Sequence, residues 1–443
     1  MSDQKEQVSV SALSGVASAS GDWEQVYRGL RIRAFVLTWL AYALFYLCRT
    51  PYAIVKGTMA RTFGLDTVRL GYIDTGYLSL YAIGQFANGV IGDRIGGRLL
   101  VGIGLLGTAL LFAAFGSGHS YLIFVLAYGL NGYFQSAGWP GCAKTFSQWF
   151  STEERGTVMG FWCTCYQAGA VVSALMATWL LVHFGWRSSL LVPALVVGGY
   201  AFFFLALQPV SPEREGLPDV EVYYTQTTGK PLLTDASGGS AVGAWSDTLL
   251  VLKSRVIWTL GLTYVILKFI RYSFLFWLPF YMSHSLHYPE GEAGYTFLVF
   301  ELGGIVGAIF AGFASDRLFQ SRRAPIVVWM MVSLGIVAYF YGTISTWGRV
   351  ANIVGITLIG FLIYGPDSVT SGAAPVDFGS KRAASAAAGF VNGLGSIGAA
   401  LSGVVIGYVS KRYGWPAVFN LFGPLSLVGA VFMASMWNAR PKS

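Results

Sequence analysis

Residues 34–52 read AFVLTWLAYALFYLCRTPY, an apolar run that contains one charged side chain, Arg49. A run of about 20 apolar residues has the length of a helix that crosses a bilayer, so the stretch predicts a transmembrane helix. An arginine inside such a helix costs roughly 3 kcal/mol even on lenient insertion scales, and it usually lines a pathway. Tyr42 and Tyr46 lie seven and three residues before Arg49, on the same helix face. We therefore predict that Arg49 binds an anion that crosses the membrane.

The composition extends this prediction to the whole chain. Of 443 residues, 54% are hydrophobic and 11% are charged, whereas soluble domains average about 25% charged residues. The apolar residues suffice for about twelve spans of about 20 residues each. The 56 glycines suit membrane helices that pack closely. The composition excludes a soluble α/β enzyme and predicts an all-α membrane protein with twelve transmembrane helices in two six-helix halves.

The predicted spans are separated by short polar segments. They lie at 34–58, 70–91, 98–116, 120–148, 157–182, 188–207, 256–283, 292–314, 325–344, 350–374, 384–409 and 415–436. The predicted division is a cytoplasmic tail with an interfacial helix (1–33), an N-terminal half (34–207), a cytoplasmic linker (208–255), a C-terminal half (256–437) and a cytoplasmic tail (438–443).

Two of the polar segments carry further predictions. Residues 1–21 are polar and predict a disordered tail, and Asp22–Arg33 predicts a basic helix at the membrane surface. The end of the linker, residues 244–253, predicts an amphipathic surface helix.

The basic residues lie mainly between the apolar runs. With the N-terminus in the cytoplasm, eighteen Lys and Arg residues fall on the cytoplasmic side and six on the opposite side. This bias predicts that both termini are cytoplasmic. The net charge of +8 therefore does not indicate nucleic-acid binding. The bias and the lack of a cleavable signal favour a bacterial inner membrane, with an internal eukaryotic membrane as the alternative.

Residues that would support other chemistry are scattered. All four cysteines fall inside predicted spans, so they indicate neither a disulfide framework nor a zinc site. The four histidines fall in predicted loops of the non-cytoplasmic side, which argues against a histidine proton relay. The sequence has no P-loop and no hydrolase pattern, so we expect no enzymatic activity, no ATP-driven pumping, no cofactor and no metal.

The two halves repeat one pattern at a nearly constant offset. Segment 71–94 begins with GY and ends with GDR, and segment 294–317 begins with GY and ends with SDR, 223 residues later. Arg49 and Arg271 lie 222 residues apart, at matching positions in the first helix of each half. Two parallel halves that face each other across a site at the bilayer midplane are a known transporter arrangement. The two arginines are therefore predicted to face one cavity.

The turns at 89–98 and 312–323 share the pattern GxxxDR followed by a further arginine. They are similar to the loop motif of the major facilitator superfamily, which the chain resembles over its whole length. An aspartate and arginines at helix ends can hold neighbouring helices together, and such contacts have to break during transport. The residues predicted to act in gating are Asp93, Arg94, Arg98, Asp316 and Arg317; the alternative is that they only determine topology.

More specific stretches are FYLCR (45–49), GYFQSAGWPGCAKTFSQWFSTEERG (132–156), RY (271–272) and GFLIYGP (360–366). They resemble the organophosphate:phosphate antiporter family, and the resemblance extends from about Tyr27 to Trp437 apart from the linker. In that family two central arginines bind the substrate phosphate, and they correspond to Arg49 and Arg271. A phosphate dianion suits two planar guanidinium groups, each of which can hold two oxygens. A structural ion pair is the alternative role for these arginines.

The resemblance also implies which side chains surround the arginines. Tyrosines that correspond to cavity positions are Tyr42, Tyr46, Tyr81 and Tyr364, with interior packing as the alternative. Tyr272 follows the second arginine directly. Glu301 matches a family glutamate that either balances the cationic cavity or connects Arg271 to the gate; a structural pair with Lys268 is the alternative.

Several positions depart from the family members that transport glycerol 3-phosphate or hexose 6-phosphate. These positions are Gln85, Tyr166, Lys268, Asp367, Asn392 and Ser396. Lys268 lies three residues before Arg271, on roughly the same helix face. The extra cation suggests a substrate with a second anionic group, such as phosphoglycerate or phosphoenolpyruvate. The alternative is that Asp367 neutralises Lys268.

The sequence therefore predicts a monomeric secondary antiporter that exchanges an organic phosphate for inorganic phosphate by alternating access. A sugar phosphate, a glycerol phosphate and a phosphoglycerate are the candidate substrates, and the lipid bilayer is the only other partner expected. Two alternatives stay open. The protein could be a membrane sensor of sugar phosphate that acts through a signalling partner, or a proton-coupled anion symporter in which Glu301 and Asp367 carry the proton.

Overall fold

The computed structural model describes residues 22–229, 253–319, 322–374 and 384–439. These residues form almost only helices. The first half contains α1 (Asp22–Leu47), α2 (Thr50–Phe63), α3 (Thr67–Ile95), α4 (Gly97–Ser117), α5 (Tyr121–Gln135), α6 (Gly138–Trp149), α7 (Thr152–Trp162), α8 (Thr164–Phe184) and α9 (Ser188–Leu207). A short 3₁₀ turn (Pro212–Glu215) and α10 (Val220–Thr228) follow.

The second half repeats the long helices with fewer interruptions. It contains α11 (Arg255–His284), α12 (Glu290–Arg317), α13 (Arg323–Ile344), α14 (Arg349–Ser368), a π-helical turn (Val369–Ala373), α15 (Ala384–Tyr413) and α16 (Trp415–Ala434).

The described helices cover most of the predicted spans, and ten helical segments of the described residues are long and apolar enough to cross a membrane. The other two are α3 and the pair α5 and α6. Helix α3 is long enough, with 29 residues, but it carries Asp74 and Asn88. Helix α5 has only 15 residues and ends before Ser136. The predicted all-α membrane architecture is confirmed, whereas the exact division into segments stays a prediction.

Some predicted boundaries differ from the helices. Residues 22–33, predicted as an interfacial helix that leads into the first span, form the first part of α1 without a break. The first predicted span is interrupted after Leu47, and the fourth is interrupted after Gln135. The predicted tail up to residue 21 and the predicted amphipathic helix 244–253 lie outside the described residues.

The start of the linker packs against the first half. In α10, the Tyr223 ring stacks on Tyr27 of α1 with 3.9 Å between ring centroids. Arg31 lies over the rings of Tyr223 and Phe150 at 5.3 and 4.8 Å, and it pairs with Glu154 at the start of α7. We call this end of the bundle the linker face. The other end, which holds Gly64–Thr67, His284–Glu290 and Tyr413, is called the opposite face.

The two halves contact each other towards the opposite face. The Thr75 hydroxyl of α3 donates to the carbonyl of Ala400 at 2.9 Å and accepts from the Val404 N–H of α15 at 3.0 Å. The same two helices touch backbone to backbone, because a Cβ added to Gly71 would lie 2.3 Å from the Gly403 carbonyl oxygen.

Charged groups at the helix ends add to this contact. Lys411 pairs with Asp66 across the halves at 2.7 Å. This hydrogen bond lowers the pKa of Asp66 below its usual value of 3.8. Glu290 of the second half accepts hydrogen bonds from Thr58 and Arg61 of the first. The halves are therefore joined at the opposite face.

Candidate functional site

Arg49 sits at a break in the first membrane-spanning segment. Pro51 has no N–H to donate to the Leu47 carbonyl, so the helix cannot continue regularly through this point. At this break, the Cys48 carbonyl accepts from the side-chain amides of Asn131 and Gln135 at 3.1 and 2.8 Å. These bonds satisfy a buried carbonyl that would otherwise be costly, and they fix the direction of the next side chain.

The Arg49 guanidinium has neutral and aromatic neighbours. Its Nε donates to Gln135 Oε1 at 3.0 Å, and Gln135 also accepts from the Tyr77 hydroxyl at 2.8 Å. The guanidinium lies 4.7 Å from the Tyr46 ring centroid and 5.0 Å from that of Tyr81. Although only 6% of Arg49 is exposed, it forms no ion pair with any residue that the structure describes. Within the described part of the chain, Arg49 is therefore a buried cation without a carboxylate partner.

Arg271 occupies the matching position in the second half but has an acidic partner. Its Nη1 donates to Asp367 Oδ2 at 2.7 Å. The guanidinium lies 4.3 Å from the centroid of the Tyr364 ring, and the Tyr364 hydroxyl donates to both oxygens of Glu301 at 2.9–3.0 Å. Arg271 is therefore held by an acid and an aromatic ring from α14.

The two arginines line one cavity between the halves. The space between its lining atoms, counted together with the adjoining open solvent, is about 320 Å³. Its lining residues are Tyr46, Arg49, Tyr166, Gln167, Ala170, Arg271, Tyr272, Leu275, Glu301 and Tyr364. Two guanidinium groups from separate halves can hold one phosphate group by charge-assisted hydrogen bonds, with hydroxyls nearby for the rest of a ligand.

Comparison with known proteins identifies the family. The model of the Major Facilitator Superfamily matches residues 38–402. The chain belongs to this superfamily. A probable hexose phosphate transport protein of Chlamydia muridarum is 28% identical over 94% of this chain and 93% of that protein. A putative glycerol-3-phosphate transporter of Arabidopsis thaliana is 30% identical over 94% of this chain and 88% of that protein. The predicted resemblance to organic phosphate transporters is confirmed.

A solved structure of another protein has the same fold as this major facilitator protein. A bacterial homologue of the human lysosomal transporter Spinster, solved in an inward-facing and unoccupied conformation, superposes with a TM-score of 0.73. The match covers 92% of this chain and 95% of that chain at 13% identity, so it supports the fold alone. The family and the fold are those of transporters and not of enzymes.

Other predicted residues of this transporter lie around the cavity lining. Tyr42 packs beside Tyr166, with 5.2 Å between ring centroids, and Tyr81 faces Arg49. Lys268 lies one turn before Arg271 and donates to Asn392 Oδ1 at 3.4 Å. Gln85 is half-buried on α3, one turn after Tyr81, and is not among the residues that line the cavity.

The structure decides between two pairings that the sequence left open. The proposed structural pair between Glu301 and Lys268 is not formed: Glu301 accepts from Tyr364, and Lys268 donates to Asn392. Asp367 pairs with Arg271 and not with Lys268. Sequence spacing could not resolve this, since the orientation of α14 against α11 decides which cation the carboxylate meets.

Three of the five residues predicted to act in gating form hydrogen bonds within their own halves. Asp93 accepts from Lys144 at 3.1 Å, and Arg98 donates to the Leu205 carbonyl, all in the first half. Asp316 accepts from Arg323 at 2.6 Å in the second half. Arg94 and Arg317 lie in the last turns of α3 and α12. Their gating role stays a prediction.

A buried ion pair was missed at the sequence level. Lys56 of α2 donates to Asp74 of α3 at 2.7 Å and to the Phe276 carbonyl of α11 at 2.9 Å. Both charged side chains are fully buried. The available signal was one cation and one anion inside adjacent predicted spans. Gln135 was missed too, although it lies in the most specific motif, residues 132–156.

Proposed function

We propose that this protein is a secondary transporter that carries an organic phosphate and exchanges it for inorganic phosphate. The observation that supports this most is that Arg49 and Arg271, one from each half, line the same cavity. A phosphate that bridges both guanidinium groups would draw the halves together, so binding at this site can drive the change of access. The relatives named as hexose phosphate and glycerol-3-phosphate transporters support a phosphorylated substrate.

The remaining lining residues have proposed roles in the same site. Tyr46, Tyr166, Tyr272 and Tyr364 supply hydroxyls for phosphate oxygens or for the hydroxyls of the substrate. Lys268 and Asn392, which hydrogen-bond to each other, form a second polar position one turn away. Substrates with a second anionic group would reach Lys268. One chain holds both arginines, which supports a monomer as the functional unit.

We further propose that the linker face is cytoplasmic, with both termini on that side. The excess of Lys and Arg in the segments of this face supports the orientation. In this orientation the halves are joined on the outer side, so the cavity is reached from the cytoplasm. A bacterial inner membrane is the proposed location.

Transport by purified protein tests the proposal. Liposomes that contain the protein and internal inorganic phosphate should take up one or more of a panel of labelled hexose phosphates, glycerol 3-phosphate and phosphoglycerates. Arg49→Lys and Arg271→Lys should each reduce exchange at least about a hundredfold, because an ammonium cannot form two parallel bonds with phosphate. Arg349→Lys is the matched control, since Arg349 pairs with Glu292 far from the cavity.

Two outcomes would contradict the proposal, one for the site and one for the function. Exchange by Arg49→Lys or Arg271→Lys at the rate of the Arg349→Lys control would exclude the arginine pair as the phosphate site. Failure of the unmodified protein to bind or transport any of the phosphates would exclude the function itself.

A further inference from the structure

Arg49 and Arg271 occupy equivalent positions but have different partners. Arg49 donates to the neutral Gln135 amide, whereas Arg271 forms an ion pair with Asp367. The asymmetry matters because an uncompensated charge in the middle of a membrane protein opposes closure of the cavity around it. In the second half this charge is already compensated by the chain itself.

The pair of Arg271 and Asp367 is made by one contact only. Nη1 meets Oδ2 at 2.7 Å, whereas Arg271 Nε and Asp367 Oδ1 are buried and have no hydrogen-bond partner among the residues that the structure describes. A bidentate pair would use two N–H groups of the guanidinium and both oxygens of the carboxylate. The single contact leaves the Nε donor of Arg271 and one oxygen of Asp367 unsatisfied, so this pair is weaker than a bidentate one and easier for a phosphate to displace.

The backbone at Asp367 is irregular. Asp367 follows Pro366 near the end of α14, and the π-helical turn Val369–Ala373 begins two residues later. The Ser371 hydroxyl bonds to the Asp367 carbonyl within this turn. Because π-helical turns and proline interrupt the regular hydrogen bonds, they are common where a helix has to change shape. The carboxylate is therefore carried by a segment that can shift away from Arg271.

The charges around the cavity can be counted directly. Arg49, Lys268 and Arg271 are cations, and Glu301 and Asp367 are carboxylates, so the group of five has a formal charge of +1. A bound phosphate ester dianion changes this charge to −1, which is equal in magnitude. Without the Asp367 charge the values would be +2 for the empty cavity and 0 for the loaded one. With Asp367, the empty and the loaded cavity carry charges of equal magnitude. The electrostatic cost of closing the cavity is then no greater when it is empty than when it is loaded.

We propose that Asp367 is a built-in counterion that occupies Arg271 when the substrate is absent and lets the empty transporter change its access. This proposal rests on the proposed phosphate site. It adds that exchange is not obligatory: the protein releases phosphate to a side that offers no counter-substrate, in addition to exchanging. Asp367 acts as a positioning residue for Arg271, and phosphate displaces it.

Efflux of inorganic phosphate tests this directly. Liposomes that contain the protein are loaded with labelled phosphate, the membrane potential is clamped, and efflux is measured into buffer with and without phosphate. The unmodified protein should release label into phosphate-free buffer within about threefold of the exchange rate. Asp367→Asn should lower the ratio of release into phosphate-free buffer to exchange at least about tenfold, which corresponds to about 1.4 kcal/mol.

Three further variants make the result specific. Asp367→Glu keeps the charge and should retain release into phosphate-free buffer. Glu292→Gln removes a carboxylate that pairs with Arg349 away from the cavity, and it should behave as the unmodified protein. Lys268→Met should act in the opposite direction to Asp367→Asn, with exchange reduced more than release, because it makes the empty group neutral and the loaded group doubly negative. This variant also tests the charge balance if Asp367→Asn fails to fold.

A binding measurement separates this proposal from the proposed function. Thermal stabilisation by inorganic phosphate should reach its midpoint at about tenfold lower phosphate in Asp367→Asn, because the competing carboxylate is gone. Strict dependence of the unmodified protein on external phosphate would overturn the counterion proposal and leave the proposed exchange intact. Equal release by the unmodified protein and Asp367→Asn would overturn it as well. If the unmodified protein neither binds nor exchanges phosphate, the proposed function itself fails.

Discussion

Lys56 and Asp74 show what a single buried pair contributes. Their side chains are fully buried between α2, α3 and α11, and the Lys56 ammonium also lies 4.2 Å from the centroid of a Trp277 ring. Transfer of two charges out of water is expensive, and their attraction roughly compensates that cost only while both are present. Each of the two charges is therefore tolerated in the interior only while the other is present.

Removal of one member should therefore cost more than removal of both. Lys56→Met and Asp74→Leu should each lower the free energy of unfolding by about 3–5 kcal/mol, and the double variant should recover much of that loss. Unfolding of the purified protein in detergent measures this. The control is Lys411→Met, whose exposed pair with Asp66 should contribute at most about 1 kcal/mol. Additive losses in the double variant would show that the two side chains are not coupled.

At the scale of helices, the contact between α3 and α15 depends on small residues. Gly71 and Gly403 let the two backbones touch, and Thr75 bonds to Ala400 and Val404 in the same region. A Cβ on Gly71 would overlap the Gly403 carbonyl. Since backbone atoms cannot move aside as a flexible side chain can, the helices have to separate to accept it.

Gly71→Ala should therefore shift the protein towards opening at the opposite face. Gly76→Ala on the same helix is the matched control, because a Cβ there would meet only the Val125 carbonyl oxygen at 4.0 Å. Spin-label distances between the ends of α3 and α15 should lengthen in Gly71→Ala and stay unchanged in Gly76→Ala. Unchanged distances in both variants would mean that the contact adjusts without opening.

At the scale of the whole molecule, the halves are joined at one face and share a cavity beyond it. Contacts between α3 and α15, between α2 and α12, and from Lys56 to α11 all cross from one half to the other. On the linker face, Asp93 and Asp316 pair with residues of their own halves. Alternating access then requires the cross-half contacts to break and reform in each cycle.

A cross-link at the opposite face should stop transport. The variant with Asp66→Cys and Lys411→Cys, joined by a short reversible cross-linker, should lose phosphate exchange down to the level of protein-free liposomes. Reduction should restore it. The matched control joins Glu292→Cys and Arg349→Cys, which form a pair inside the second half and should keep exchange when cross-linked. Full exchange by the first cross-linked variant would show that the halves need not separate there.

The amino-acid sequence determined the class of protein and the position of its central charges. Apolar runs of span length specify membrane helices because no other element satisfies the backbone within lipid. The repeat at an offset of 222 residues identified Arg49 and Arg271 as equivalent before any contact was known. The position of Tyr46 beside Arg49 also followed from helical spacing, which is a local property.

Only the tertiary structure decided which groups pair across helices. The spacing of residues could not tell that Asp367 meets Arg271 and not Lys268, or that Gln135 holds Arg49. It also could not tell that Lys56 reaches both Asp74 and the other half. The physical reason is that these pairs depend on the rotation and approach of helices far apart in the chain, which the packing of small residues such as Gly71 and Gly403 determines.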